Sequence, residues 1–310
     1  MLPLSAKTRN AFSQNNLNYG VGVTLKAIVN KAITELKKSG SKTAALDVKT
    51  ILGHVLEKDD VYLLTHNQDI ISNAHYQKFR RLIRRRKKGE PIAFLVCHKE
   101  FYGLDFTVNK NVLIPRPETE ILVDEAAKII ESNENEKLTI LDLGTGSGCI
   151  IISLANKFRT KQHIELFASD ISPLALKVAR KNAKKLGCNN IKFFRSDLFN
   201  NKRIPKQFDL VLANLPYLDI NKPYAKYLTP DSIGLKFEPK IALYSDKQGL
   251  LLIEKLIKGL PKKLKNGGAA LLEVDESQIN KLEKLCYKQN LKMGTVSNSS
   301  RFKGFVKIVK

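Results

Sequence analysis

Through its first third the chain places apolar residues at helical spacing. In TLKAIVNKAITELKKSG, Leu25, Ile28, Val29, Ala32, Ile33 and Leu36 line one face, and Gly40 closes the stripe. The stretch KTAALDVKTILGHVLE repeats the period with Ala44, Ala45, Val48, Ile51, Leu52, Val55 and Leu56. AHYQKFRRLIRRRKKGE carries only a thin apolar face, Tyr76, Phe79, Leu82 and Ile83, on an otherwise basic helix. Nothing before residue 92 alternates as a strand would, which predicts a small all-helical domain over residues 24–90. Residues 1–23 form a tail to which no element is assigned.

Residues 91–116 change character. PIAFLV and DFTVNKNVLI look like strands of a connecting hairpin. PRPETEILVDEAAKIIES then opens a helix: Pro115 and Pro117 restrict its start, and Glu118 and Glu120 favour its positive N-terminal end. From residue 138 strands alternate with helices. LTILDLG, HIELFASD, IKFFRSD, FDLVLAN and GGAALLEV read as strands. CIIISLANKF, SPLALKVARKNAKKLG, QGLLLIEKLIKGLPKKL and ESQINKLEKLCYKQ read as the helices around them. Such alternation predicts an α/β domain over residues 117–310, with a mainly parallel sheet covered on both faces. The closing FVKIVK suits an antiparallel edge strand.

Composition narrows the function classes. Of 310 residues 43% are hydrophobic, enough for a real core. Uninterrupted apolar runs such as Cys149–Ile152 fall far short of the roughly 20 residues that span a bilayer, so no membrane role is expected. The N-terminus lacks the long apolar segment of a secretory signal. Cys97, Cys149, Cys188 and Cys286 are scattered and no histidine clusters near them, so neither a metal site nor a disulfide framework is expected and a reducing cytoplasm fits. The net charge of +23 suits a polyanionic partner, whether nucleic acid, ribosome or anionic protein, or a Lys-rich solvated surface. The densest cluster is Lys78–Lys88, with eight Lys or Arg.

In open α/β sheets ligands bind beyond the carboxyl ends of the strands, and four strand ends here carry suitable chemistry. The first runs into Gly144-Thr145-Gly146-Ser147-Gly148, glycines that let a ligand approach the backbone closely. Position 149 is Cys, so the Gly-x-Gly-x-x-Gly spacing of a dinucleotide site fails. Asp142 beside the loop would repel a pyrophosphate and suits a ligand with a cationic amino-acid end, favouring S-adenosylmethionine over NAD. The second end is Asp170, a carboxylate able to accept both ribose hydroxyls or to cap the following helix. The third holds Asp197 and Leu198, an acceptor for an adenine amine and an apolar side chain for its ring. The fourth is Asn214-Leu215-Pro216-Tyr217. An amide or ring amine is a poor nucleophile because its lone pair is delocalised. The Asn214 side-chain oxygen and a nearby backbone carbonyl could grip both of its N–H bonds, Pro216 holding that carbonyl outward and Tyr217 packing on the planar group. Catalysis would then rest on positioning and electrostatics.

Taken with ASDISPLALKVARKNAKKLG, the motifs LDLGTGSG and NLPY resemble those of Rossmann-like, seven-stranded class I S-adenosylmethionine-dependent methyltransferases. The Asn-[Pro/Leu]-Pro-Tyr element is shared by enzymes that methylate adenine N6, guanine N2 or glutamine N5, so it specifies a nitrogen acceptor and not the substrate. RRRKKGEPIAFLVCHKEFYGLDFTVNKNVLIPRPETEILVD, EPKIALYSDKQGL and LLEVDESQ are similar to the glutamine-N5 methyltransferases of peptide chain release factors. The resemblance covers about residues 24–310 and implies that the helical domain serves substrate recognition. It implies S-adenosylmethionine on Gly144–Gly148, Asp170, Asp197, Leu198 and Asn214. It implies Asn214, Leu215, Pro216 and Tyr217 on the glutamine of a Gly-Gly-Gln loop, with Asn214, Pro216 and Tyr217 catalytic. A release factor is then the expected partner, with no stable nucleic-acid partner, weak RNA or ribosome contact through the basic surface, a monomeric state and a cytoplasmic location. An exocyclic base amine of rRNA or DNA is the alternative acceptor. Leu215 replaces a commoner proline, Leu198 a common aromatic, and Cys97, Ser245 and Asp275 stand where relatives often carry glycine.

Overall fold

A computed structural model describes residues 22–133, 137–161, 163–221, 233–296 and 304–310; all of the N-terminal tail but its last two residues lies outside them. The chain forms two compact units, one ending at Val96 and the other beginning at Cys97.

The first unit is helical: α1 (Leu25–Lys38), α2 (Ala44–Leu56), α3 (Asp60–Thr65), α4 (Asn73–Lys87) and α5 (Ile92–Val96). Side chains of Thr24, Asp59 and Ser72 accept the first free N–H groups of α1, α3 and α4. The core joins the predicted stripes, Leu25, Ile28, Ala32 and Leu36 meeting Val48, Ile51, Leu52 and Val55 over Phe79, Leu82 and Ile83. PIAFLV is a correction: it is the short helix α5, not a strand. Pro91 sits just before it, where a missing N–H costs nothing, and its carbonyl accepts from Phe94 and Leu95. A short apolar run does not reveal its period. The basic helix turns part of its charge inward. Arg80 forks onto Glu35 at 2.9 and 3.2 Å, Arg86 Nε donates to buried Asp47 at 2.8 Å, and Arg85 pairs with Glu90.

The second unit opens with the hairpin β1 (His98–Phe101) and β2 (Leu104–Thr107), whose two loop residues, Tyr102 and Gly103, both have positive φ as a tight hairpin turn requires. DFTVNKNVLI is therefore a strand only to Thr107. Then come α6 (Glu120–Glu131), β3 (Leu138–Leu143), α7 (Cys149–Lys157), β4 (Ile164–Asp170), α8 (Pro173–Lys185), β5 (Ile191–Arg195) and β6 (Phe208–Asn214). A small parallel pair, β7 (Leu218–Asp219) and β8 (Tyr244–Ser245), precedes α9 (Leu251–Lys263), β9 (Leu264–Glu273), α10 (Ile279–Lys288), β10 (Lys292–Thr295) and β11 (Phe305–Val309).

The seven-stranded sheet runs β10-β11-β9-β6-β3-β4-β5, parallel from β9 to β5. Central β3 is buried along its length, and successive residues face opposite cores. Ile140 packs with Leu122, Ala126 and Ile151, whereas Leu141 and Leu143 pack with Ile253, Leu256 and Ile257. FVKIVK forms β11, antiparallel as expected, but it is not the edge. It lies between β9 and β10, and the outermost strand reads KMGT, mostly exposed and without apolar alternation to announce it.

Candidate functional site

The order β6-β3-β4-β5 makes the four strand ends neighbours. The chain leaves β3 towards β4 and β5, then returns to place β6 on the other flank of β3, so a crevice opens where the winding direction reverses. A cavity of roughly 220 Å³ lies at these ends. Its wall includes Gly144, Thr145, Gly146, Ser147, Asp170, Asp197, Leu198, Asn214, Leu215 and Pro216. Two of the expected residues, Gly148 and Tyr217, are not among its lining residues.

The loop after β3 holds φ of +70, +55 and +84° at Gly144, Gly146 and Gly148. A methyl group on Gly148 would strike Ile152 at 2.6 Å, so this glycine serves packing. A methyl group on Gly146 would meet nothing closer than a backbone oxygen at 3.9 Å, and Gly146 lines the cavity; that open space is available to a ligand. Asp170 fastens the loop, its Oδ2 accepting from Gly146 N at 2.9 Å and its Oδ1 from Ser172 N at 2.8 Å. Ser172 Oγ caps α8, so the capping is shared and Asp170 still faces the cavity. Burial pushes its carboxyl up, against the pull of those backbone donors.

Asp142 is fully buried. Its Oδ2 accepts from Thr145 Oγ1 at 2.7 Å, while Oδ1 has no hydrogen-bond partner among the described residues. Burial pushes its carboxyl up to about 7. Asp142 is not itself a lining residue; it stands behind Thr145, which together with Asp170 lines this end of the cavity. Two carboxyl groups at or behind the wall suit it to a cationic or hydroxyl-rich ligand and not to phosphate. The residues present thus fit S-adenosylmethionine. Cys149 also lines the cavity, but burial pushes its thiol up to about 12 and keeps it protonated.

At the fourth end the Asn214 side chain is fixed through its nitrogen. Nδ2 donates to Glu273 Oε2 at 2.8 Å and to Thr119 Oγ1 at 3.1 Å. Thr119 in turn donates to Glu273 Oε2 at 2.7 Å, and the Tyr217 hydroxyl donates to Glu273 Oε1 at 3.2 Å. Burial pushes the Glu273 carboxyl up, opposed by these donors; burial and the Glu273 charge push the Tyr217 phenol up. Tyr217 is therefore turned towards Glu273, and its ring packs on the core that includes Leu141 and Ile253. Its backbone carbonyl accepts from Gln278 Nε2 at 3.2 Å, with Gly249 pressed against it. Nearby, Glu238 accepts from Ile114 N at 2.9 Å and from Arg116 at 2.6 Å, tying the segment before α6 to the cavity wall.

Sequence reasoning missed Thr119, Glu273, Gln278 and Gly249. One signal was present. GGAALLEV is a fifth parallel strand, and its terminal Glu273 stands beside Asn214 in register on the same sheet edge. The strand-end rule that found Asp170 would have found Glu273. Among the described residues no group of three or more metal-ligating side chains occurs, and no helix is long and apolar enough to cross a membrane.

Comparison with known proteins follows the same division. Residues 27–96 match the PrmC N-terminal domain, and residues 134–299 match a methyltransferase domain. The chain is 36% identical over 254 residues to the release factor glutamine methyltransferase of Vibrio cholerae, covering 82% of this chain and 85% of that one. It is 39% identical to the enzyme of the same name from Neisseria gonorrhoeae, over 75% and 81% of the two chains. It is also 34% identical to a bifunctional methyltransferase of Rickettsia prowazekii, over 84% of this chain and 52% of that longer one.

Proposed function

The chain belongs to the family of release factor glutamine methyltransferases, and from that premise we propose its reaction and the residues that carry it. It transfers a methyl group from S-adenosylmethionine to the side-chain amide nitrogen, N5, of the glutamine in the Gly-Gly-Gln loop of peptide chain release factors. The observation that carries the site assignment is the orientation of Asn214: both bonds from its nitrogen are internal, and no described residue donates to its Oδ1.

When bound, S-adenosylmethionine supplies a methyl group made electrophilic by a sulfonium sulfur. Gly144–Ser147 and Asp170 would hold its amino-acid end and ribose, and Asp197 and Leu198 its adenine. Asn214 Oδ1 and the Leu215 carbonyl accept the two N–H bonds of the substrate amide. Pro216 fixes the carbonyl, and Tyr217, fastened to Glu273, fixes the end of the turn. Gripped in this way the nitrogen presents its π face, and positive charge that grows on it during transfer meets two acceptors. Positioning and electrostatics of this kind supply several kcal/mol of barrier reduction, on the order of 4 for one well-aimed polar group. The nitrogen then sheds one proton to water, leaving a neutral N-methylated amide.

Residues 24–90 serve as the substrate-recognition domain, residues 91–116 as its linker, and residues 117–310 as the catalytic domain. We read the enzyme as a cytoplasmic monomer without a stable nucleic-acid partner. The engagement of Arg80, Arg85 and Arg86 with carboxylates of their own unit supports the absence of a stable nucleic-acid partner. Transfer from labelled S-adenosylmethionine tests the proposed reaction, with a purified release factor, its Gly-Gly-Gln variant bearing Gln→Ala, DNA and rRNA compared side by side. Label on the intact factor alone is expected. Label on nucleic acid with the factor blank overturns the substrate assignment.

A further inference from the structure

A carboxamide rotated by half a turn keeps its shape and exchanges an acceptor for a donor, so packing cannot decide which way Asn214 faces. Facing the wrong way, it would offer N–H to a substrate nitrogen that is itself a donor. We propose that Thr119 and Glu273 are positioning residues that hold the Asn214 carboxamide with Oδ1 towards the substrate; this rests on the reading that Asn214 grips the acceptor amide.

The proton inventory around Asn214 carries the argument. Thr119 has one hydroxyl proton, and at 2.7 Å from Glu273 Oε2 that proton goes to the carboxylate. The Thr119 oxygen, 3.1 Å from Asn214 Nδ2, is left as an acceptor. Glu273 Oε2, 2.8 Å from the same nitrogen, is an acceptor as well. Two acceptors therefore converge on one terminus of the carboxamide. Turned over, Asn214 would set Oδ1 against a carboxylate oxygen and a hydroxyl whose proton is committed elsewhere, and would leave its own nitrogen without either bond. Losing two hydrogen bonds, one of them to a charged group, disfavours the turned state by well over tenfold. Thr119 and Glu273 are both buried, Thr119 at the cavity wall.

The arrangement has a second effect. Glu273 takes three bonds from neutral donors, Thr119, Asn214 and Tyr217, and among the described residues no Lys or Arg lies within ion-pair distance of it. A carboxylate accepting from Asn214 Nδ2 polarises the carboxamide and strengthens Oδ1 as an acceptor. The same carboxylate holds the Tyr217 hydroxyl, so both ends of the Asn214–Tyr217 turn are referred to one atom group on β9.

Thr119→Val tests the assignment, since it preserves shape and removes both roles of the hydroxyl, and Thr119→Ser restores them. With 15N-asparagine labelling of the ligand-free protein, the Asn214 side-chain amide pair is identified by its absence in Asn214→Ala. The pair is expected to move in Thr119→Val and to hold its wild-type position in Thr119→Ser. Turnover on a release factor is expected to fall at least tenfold in Thr119→Val, with KM and the S-adenosylmethionine dissociation constant within twofold, and to recover in Thr119→Ser. An amide pair unmoved by Thr119→Val, or a turnover number within twofold of wild type, overturns the proposal. If the wild-type enzyme leaves the factor unlabelled, the substrate reading falls, while the amide signals still decide the orientation.

Discussion

A methyl group added at position 249 should damage catalysis although Gly249 is not among the residues that line the cavity. Gly249 has φ of +82°, a conformation that costs a residue with a Cβ about 1–2 kcal/mol. The larger problem is contact. The new Cβ would lie 1.9 Å from the Tyr217 carbonyl oxygen, 2.6 Å from its carbon and 2.9 Å from Gln278 Nε2. Carbon and oxygen without a bond between them approach to about 3.3 Å, so the Tyr217 carbonyl must retreat by more than an ångström. That carbonyl is held by Gln278, and only Leu215 and Pro216 separate Tyr217 from Asn214. A displacement of about 1 Å in a positioned group costs roughly a hundredfold in rate. Gly249→Ala should therefore lower kcat on a release factor about a hundredfold. Cofactor affinity, measured by calorimetry, should hold within a few-fold, because the glycine loop and Asp170 stand on other strands. Gly267→Ala is the control. Its φ is +75° and a Cβ there meets nothing within 4 Å, so it carries the backbone strain without the collision. Its kcat should stay within twofold while the melting temperature falls slightly. If Gly249→Ala turned over at a third of the wild-type rate or better, or Gly267→Ala lost as much, the link from residue 249 to the acceptor grip would be refuted.

Asn214→Ala should abolish transfer, by a hundredfold or more in a labelled-methyl assay; near-normal turnover would sink the acceptor grip. Asp170→Ala removes an acceptor for ribose hydroxyls and the anchor of Gly146, and should weaken S-adenosylmethionine binding about ten- to a hundredfold. An unchanged dissociation constant would contradict it. Asp142 gives a pH dependence. Its carboxyl titrates near 7 in the folded chain and near 4 when unfolded, so between those values the folded state binds the extra proton. Stability must then fall as pH rises through that window, by on the order of 4 kcal/mol from this group. Asp142→Asn should flatten the decline in melting temperature between pH 5 and pH 7.5, though not erase it, because Asp170 and Glu273 shift in the same direction. A slope unaltered by the substitution would count against the assignment.

The parallel core was legible because its strands and helices announce themselves by period and length, as LTILDLG and SPLALKVARKNAKKLG do. PIAFLV was not, since five apolar residues after a proline fit a strand or a helix turn until their partners are known. β10 was silent for another reason: KMGT pairs on one side only and buries almost nothing, so selection for packing leaves no mark in it. The site shows the same limit. Gly146, Asp170 and Asn214, which line the cavity, follow from strand-end chemistry. Thr119 reaches Asn214, and Gln278 and Gly249 reach the Tyr217 carbonyl, from distant segments, and no local pattern encodes a contact between positions 119 and 273. Tyr217 illustrates the gap. The motif names it, but only the Glu273 bond shows that its hydroxyl is turned away from the cavity wall.

The Asn182 side chain behaves like a spare length of backbone. From α8 it accepts from Thr107 N at 2.8 Å and donates to Thr107 O at 3.0 Å, pairing with β2 as a neighbouring strand would, and it donates also to Ser147 O at 2.9 Å. One fully buried amide thus ties the β1–β2 hairpin to the glycine loop on the cavity wall. Any free energy of coupling carried through it must run both ways. If a protein substrate that seizes the hairpin tightens the cofactor by some factor, the bound cofactor tightens the substrate by that same factor.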